Sequence, residues 1–423
     1  MNFWSKIKLV WEDKGLRGRL LFVLGALVLS RLLAAIPVPG IDTVKLANFF
    51  AGNQFFGFLN IFSGASMSNF SIVMLGVGPA ITALIIMQVL TMVSDKLKAM
   101  YQDEGQAGRD RFNQISRMIT VPIALIQGFS LILILEKSGV IPTLGIAALV
   151  ANLLVVTAGS MLMVWIGDLI TEFGIGNGIS LLIFAGIVAR LPTTLSQLSL
   201  SFTASDIPTY VLFLVMAVVI IAGVVFISEA ERPVPVTYAK QVRGSQTSGG
   251  ISTYLPLRLN QAGVIPIIFA TSLLIFPQTI LSYIAVIAKS AALKTFAAWL
   301  TAFLANAWAH GILYFVLVFV FTYFYTAVTF DPDQISKNLQ QGGAFIPGVR
   351  PGQATSDYLA RVLTRITLVG ALFLGIVAVL PYIITYMTNN QSLTIGGTAL
   401  LIVVTVIIEF VKQIEGQVTM REY

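Results

Sequence analysis

His310 is the only histidine among 423 residues, and cysteine is absent. One histidine rules out an HExxH zinc site and any histidine acid–base pair. The lack of cysteine removes disulfides, thiolate metal sites and a thiol nucleophile together. Asp168 and Glu172 stand four apart and share a helix face. With no base or metal ligand beside them, they read as solvated charges at a membrane edge. The run Gly174-Ile175-Gly176-Asn177-Gly178-Ile179-Ser180 is glycine-rich but carries no lysine, and GxxxxGK[ST] occurs nowhere. No P-loop therefore hydrolyses nucleotide. The chain is not expected to be an enzyme or to hold a cofactor or metal.

The surroundings of these residues explain why chemistry is so sparse. Hydrophobic residues make up 57% of the chain and charged residues 11%, and the mean hydropathy is +0.87. A soluble domain carries roughly 25% charged residues. At this composition a water-facing surface cannot be covered, so lipid covers most of it. Spans of roughly 20 apolar residues fall near Leu20–Ile36, Phe70–Val93, Met118–Leu135, Ile146–Ile166 and Ile179–Leu195. A second set falls near Tyr210–Ile227, Gly263–Ile287, Ala309–Val328, Val362–Met387 and Ile395–Val411. The expected fold class is all-α: a polytopic membrane protein of about ten transmembrane helices.

Net charge is +7, which in a soluble protein would suggest nucleic acid. Here the basic residues sit in short connections, so they report topology and no direct DNA binding is expected. With the amino terminus inside, only Lys45, Lys137, Arg190, Lys289 and Lys294 fall outside, and Arg31 lies within a span. Every other Lys and Arg falls on the inner side, as the positive-inside rule requires when both termini are cytosolic. Met1–Arg19 is polar and basic with no small-residue cleavage site after the first apolar run. It reads as an amphipathic lead-in rather than a cleaved signal.

Two long connections share that inner side. In 229–261, Val234, Val236 and Tyr238 alternate, Gly249-Gly250 follows, and Ile251–Leu259 returns. This predicts a two-stranded ribbon. In 329–361, Asp331-Pro332 predicts an N-cap with proline at the first helical position, and Gly342-Gly343 ends the short helix. Either a docking surface or ordinary solvated loops would fit the pattern.

Between the first two spans lies Gly57-Phe58-Leu59-Asn60-Ile61-Phe62-Ser63-Gly64-Ala65-Ser66-Met67-Ser68. It is too short to span, so it is re-entrant or lies on the membrane surface. Ionisable residues inside spans mark function by default, but they are few: Arg31 near one end of the first span and Glu409 near the inner end of the last. Both can snorkel. An inverted-repeat secondary transporter of small solutes remains the alternative, although such a carrier should show more mid-span carboxylates. What the spans do show is Val77 and Ile81, and Ile179 and Ile183, each pair four apart beside glycine. Spacing alone makes them lipid-facing or packing residues.

The chain resembles the SecY/Sec61-alpha family of protein-conducting channels. The likeness rests on Ile36–Asp42 (IPVPGID), Asn60–Gly64 (NIFSG), Pro79–Gln88 (PAITALIIMQ), Gly174–Ser180 and Ile183–Ile187 (IFAGI). It continues through Leu255–Leu257, Asn260, Ala262–Pro266 (AGVIP), Gly343–Gly352 (GAFIPGVRPG) and Gly396–Val403 (GGTALLIV), in the family's order. The resemblance implies two pseudo-symmetric halves, 1–195 and 196–423, around a central pore. It implies a pore ring of Val77, Ile81, Ile179, Ile183, Ile268 and Ile402, a plug at 57–68, and a lateral gate with Gln88 and Asn260. Val77 replaces the commoner isoleucine. Lys240, Arg243 and Arg350 would dock a ribosome or the SecA motor ATPase, and SecE- and SecG-like small subunits would accompany the chain. The substrates would be signal-sequence-bearing polypeptides, and the location a bacterial cytoplasmic (inner) membrane. A dewetting aliphatic collar would let chains of any sequence slide.

Overall fold

The structure, a computed structural model, describes residues 11–38, 63, 66–67, 70–102, 104–200, 207–238, 241–243, 246–248, 252–263, 265–287, 290–388 and 391–422. Its helices in the first half of the chain are α1 (Lys14–Ala35), α2 (Gly78–Val93), α3 (Asp95–Gln102), α4 (Gly105–Lys137), α5 (Ile146–Phe173) and α6 (Gly178–Leu200). They continue with α7 (Ile207–Glu229), α8 (Ile265–Ile287), α9 (Ala291–Ala305), α10 (Ala307–Thr329), α11 (Pro332–Gln341), α12 (Gln353–Thr388) and α13 (Gln391–Glu422). Each of the ten apolar runs read from the sequence falls wholly or in part on one of these helices. By length and apolarity alone, five of the described helices are long enough to cross a membrane, or six if α2 and α3 count as one broken span.

The second run departs from expectation at its start. Regular helix begins only at Gly78, and Phe70–Val77 is a string of turns. Phe70 has φ +43° and Gly76 φ +53°, values no α-helix accepts. Pro79 then sits in the first turn of α2, where its missing N–H costs nothing.

Helix α9 has no counterpart among the ten runs. It docks on α8 and α10 through Ala297 and Leu304, which are buried with Leu281. Its outer face carries Phe296, Trp299 and Phe303, stacked in succession with centroids 6.4 and 5.9 Å apart. Such an aromatic stripe suits the boundary between lipid and water.

At the opposite end of the bundle stands a small platform. Strands β1 (Glu231–Tyr238) and β4 (Ser252–Arg258) form the antiparallel ribbon expected in 229–261. The short strands β2 (Gln241–Arg243) and β3 (Gln246–Ser248) pair farther out. The ribbon takes a third strand, β5 (Ala344–Phe345), from the other long connection, giving the order β4-β1-β5. Beneath the sheet, Val234, Val236, Leu257, Ala344 and Ile346 share a core with Leu359, Val362, Leu363 and Ile366 of α12. Helix α11 caps as predicted, with Asp331 accepting from the backbone N–H of Asp333 (2.9 Å) and Gln334 (3.3 Å). The two connections are therefore one folded unit, and α12 runs from it into the bundle.

Candidate functional site

Strands and loops cannot survive at membrane depth unless their backbone is satisfied within the protein. The turns at 70–77 meet that condition. Val38 N–H donates to Phe70 O (2.9 Å) and Ile72 N–H to Ile36 O (3.1 Å). Ser66 Oγ donates to Val73 O (2.8 Å), and Ser160 Oγ on α5 donates to Gly76 O (2.8 Å). Gly159 leaves no room for a Cβ against the carbonyl of Ile72, so α5 approaches the turns closely. This bracing fixes Val77 at the N-cap of α2 and, one helical turn on, Ile81.

The start of α6 is built with equal economy. Gly176 takes φ +95°. Asn177 Oδ1 accepts from Ser180 N–H at 3.2 Å, and Thr171 Oγ1 accepts from Gly178 N–H at 2.9 Å. Gly178 lies against the carbonyl of Gly167, where any side chain would collide. Ile179 and Ile183 follow on the first turns.

These residues belong to one contiguous buried cluster. Val77, Ile81, Ile183, Ile268 and Ile402 are each at most 6% exposed, and Ile179 packs against them. They come from α2, α6, α8 and α13, so none of the six faces outward into lipid. Helix α8 packs on α2 and α4, while α13 packs on α6, α7 and α12.

Two buried residues, Gln88 on α2 and Asn260 just before α8, carry unpaired polar atoms. Gln88 is 4% exposed and Asn260 8%. Asn260 Nδ2 donates to Gly263 O at 3.2 Å. Among the described residues, Gln88 Oε1 and Asn260 Oδ1 have no hydrogen-bond partner. A buried orphan oxygen costs about 1–3 kcal/mol, so each of these two positions is destabilising as it stands.

Most of the 57–68 segment, including Gly57 to Phe62, lies outside the described residues. Of its described members, Ser63 (3% exposed), Ser66 (0%) and Met67 (1%) are buried in protein. Ser63 lies on the backbone of Gly76, where a Cβ would not fit. Lys240 also lies outside the described residues. Arg243 ends β2, and Arg350 is exposed in the turn after β5, its carbonyl accepting from Thr355 Oγ1 at 2.9 Å.

Two features escaped the sequence reading. Asp168, expected as a solvated charge, is half-buried and paired with Arg117 of α4 at 2.9 Å. Spacing along one helix carries no information about a partner on another. Lys412 of α13 closes the end of α7, with Nζ 2.9 Å from Glu229 Oε1 and donating to Ser228 O at 3.0 Å. A cation there also meets the negative end of the α7 dipole.

Comparison with known proteins agrees with this architecture. The SecY family profile matches residues 71–411. The protein translocase subunit SecY of Streptomyces coelicolor is 40% identical over 433 residues, covering 98% of this chain and 97% of that protein. A solved protein-conducting channel superposes with a TM-score of 0.67 at 18% identity, over 94% of this chain and 92% of its own. Sec61 from the canine ribosome–channel complex of the endoplasmic reticulum superposes with 0.63 at 18%, with the same coverages. A family profile over most of the chain, a relative at this identity over nearly all of it, and a helical bundle with one large apolar core lead to one conclusion: the chain belongs to the SecY family.

Proposed function

We propose that the chain is the channel subunit of a protein translocase, passing unfolded secretory polypeptides across a membrane and releasing hydrophobic segments sideways into it. The observation that supports this is the burial of Val77, Ile81, Ile183, Ile268 and Ile402 within the large core of the bundle, with Ile179 packed against that core. In this reading the six form the pore ring. An aliphatic collar excludes water and ions when empty by dewetting, and it offers a moving chain no fixed hydrogen bond. The plug is 57–68, whose buried Ser63, Ser66 and Met67 support a position inside the protein rather than on the membrane surface.

Sideways release would occur where α8 meets α2 and α4, with Gln88 and Asn260 as the polar pair at the seam. A segment sampling it is sorted by transfer free energy: Leu or Phe favours lipid by roughly 0.3–0.6 kcal/mol each, and a central Asp or Lys opposes by roughly 2.5–3.5 kcal/mol. The halves 1–195 and 196–423 would open about this seam. The platform, with Lys240, Arg243 and Arg350, would face the cytosol and receive a ribosome or a SecA-type motor. Small SecE- and SecG-like subunits would complete the complex in a bacterial inner membrane, with both termini cytosolic.

Reconstitution tests this directly. Proteoliposomes holding the chain with its small subunits should import a secretory precursor when supplied with the motor and ATP. Counter-flow of small solutes without precursor import would instead identify a carrier.

A further inference from the structure

The wall that carries the ring continues toward the platform and ends in a charge. Ile402, Val406 and Glu409 stand at i, i+4 and i+7 on α13, one above another on one face. Seven residues of helix span about 10 Å. Ile402 and Val406 are buried at 2% and 3%, whereas Glu409 is half-buried.

Its surroundings are the starts of the two other helices of this wall. The Glu409 carboxylate occupies the place a Cβ on Gly263 would take, just before α8 begins. On its other side it lines a small cavity with Gly176, Asn177 and Ser180, where α6 begins. Helix amino-terminal ends carry partial positive charge, and two of them lie beside this carboxylate.

The cations nearby are already engaged. Arg258 and Lys412 lie close enough to act on the Glu409 charge. Arg258 Nε is 3.1 Å from Glu231 Oε1, and Lys412 Nζ is 2.9 Å from Glu229 Oε1. Among the described residues, no ion pair within 4 Å and no hydrogen bond closes on Glu409. The site is a half-buried carboxylate with no partner among the described residues, some 10 Å to the platform side of the candidate ring, beside a small cavity.

A translocated chain brings such a cation. Secretory leaders open with a basic segment and follow it with 7–15 apolar residues. We propose that Glu409 is the docking carboxylate for the lysine- or arginine-bearing start of the incoming polypeptide, an inference that rests on the channel reading above. Gly263, against which the carboxylate lies, is hydrogen-bonded through its carbonyl to Asn260 at the root of α8. A leader held by its basic end at Glu409 therefore lays its apolar run along α8, the helix that faces α2 and α4. Glu409 thus sets which end of the leader stays on the platform side.

The test compares three leaders on one reporter, basic, neutral and acidic in their first residues, imported by the complete reconstituted complex. The wild-type chain should favour the basic leader over the neutral one. Glu409→Gln should shrink that ratio about fivefold, the size expected of one half-buried charge pair, and Glu409→Asp should keep most of it. Glu409→Lys should reverse the order of basic and acidic leaders. Because the chain has no cysteine, Glu409→Cys provides a second readout. It should form a disulfide with a cysteine placed in the basic segment and not with one in the apolar run. An unchanged ratio in Glu409→Gln, or equal loss for all three leaders, overturns the proposal, as does a cross-link to the apolar run. Failure of the wild-type complex to import any leader would instead bring down the channel reading, and this inference with it.

Discussion

Thr237 of β1 lies directly across an antiparallel ladder from Phe345 of β5, joining two connections that the sequence keeps far apart. The joint makes 229–261 and 329–361 one mechanical body over the core of Val236, Ala344 and Leu359. Val236→Asp would bury a charge without a partner, at a cost of about 3–5 kcal/mol. Hydrogen exchange should then show protection lost in β1, β4 and β5 together. Loss confined to 229–261 would mean the two connections fold separately.

Arg350 needs no folding role to be kept. Its side chain is exposed, and its backbone is held independently by Thr355 and by the bond from Ser336 Oγ to Gly352 O at 2.6 Å. Arg350→Glu should leave the melting temperature within a degree or two of wild type, as surface changes usually do. Motor-driven import should fall at least tenfold. Normal import by this variant would remove Arg350 from the docking surface.

If the six aliphatic residues form the pore ring, chemistry rather than volume should set the seal. Ile402→Asn keeps the number of side-chain heavy atoms but gives water a donor and an acceptor at a site 2% exposed. Single-channel recordings should show ion leakage through the resting variant, and Ile81→Asn should behave alike. Silence in the bilayer would argue that neither residue lines a pore.

The seam prediction has the opposite sign from most mutations. Gln88→Leu removes an orphan oxygen and adds apolar contact, which should hold the closed seam tighter by about 1–2 kcal/mol. At roughly 0.3–0.6 kcal/mol per Leu, a guest segment would need about three more leucines to insert half the time. A scan of guest hydrophobicity reads the shift directly. A threshold that drops or stays fixed would contradict the gate.

Much of this was legible because lipid imposes strong patterns. All ten apolar runs fell at least in part on helices, and Asp331-Pro332 and Gly342-Gly343 bounded α11 as expected. The turns at 70–77 were misread as helix because their residues are apolar enough to span. What breaks the helix is the backbone at Phe70 and Gly76, which hydropathy does not register. Strand β5 was invisible: two residues have no period, and its pairing is entirely tertiary. Helix α9 hid because one face is aromatic while Lys294 interrupts the run. The six aliphatic residues of the candidate ring came from family likeness, since Val77 and Ile81 alone look like any lipid-facing pair. Glu409 was noticed, but as a charge able to snorkel. Its seat between Gly263 and Asn177 is formed by three separate helices.

Helix α12 is continuous from Gln353 on the platform to Leu380 deep in the bundle, about 40 Å of rod. Partway along it, the backbone of Gly370 lies on the Leu259 carbonyl and that of Gly375 on the Phe315 ring. A load pressed on the platform would thus pass along one unbroken helix, reaching the root of α8 and the flank of α10 as displacement rather than as loop motion.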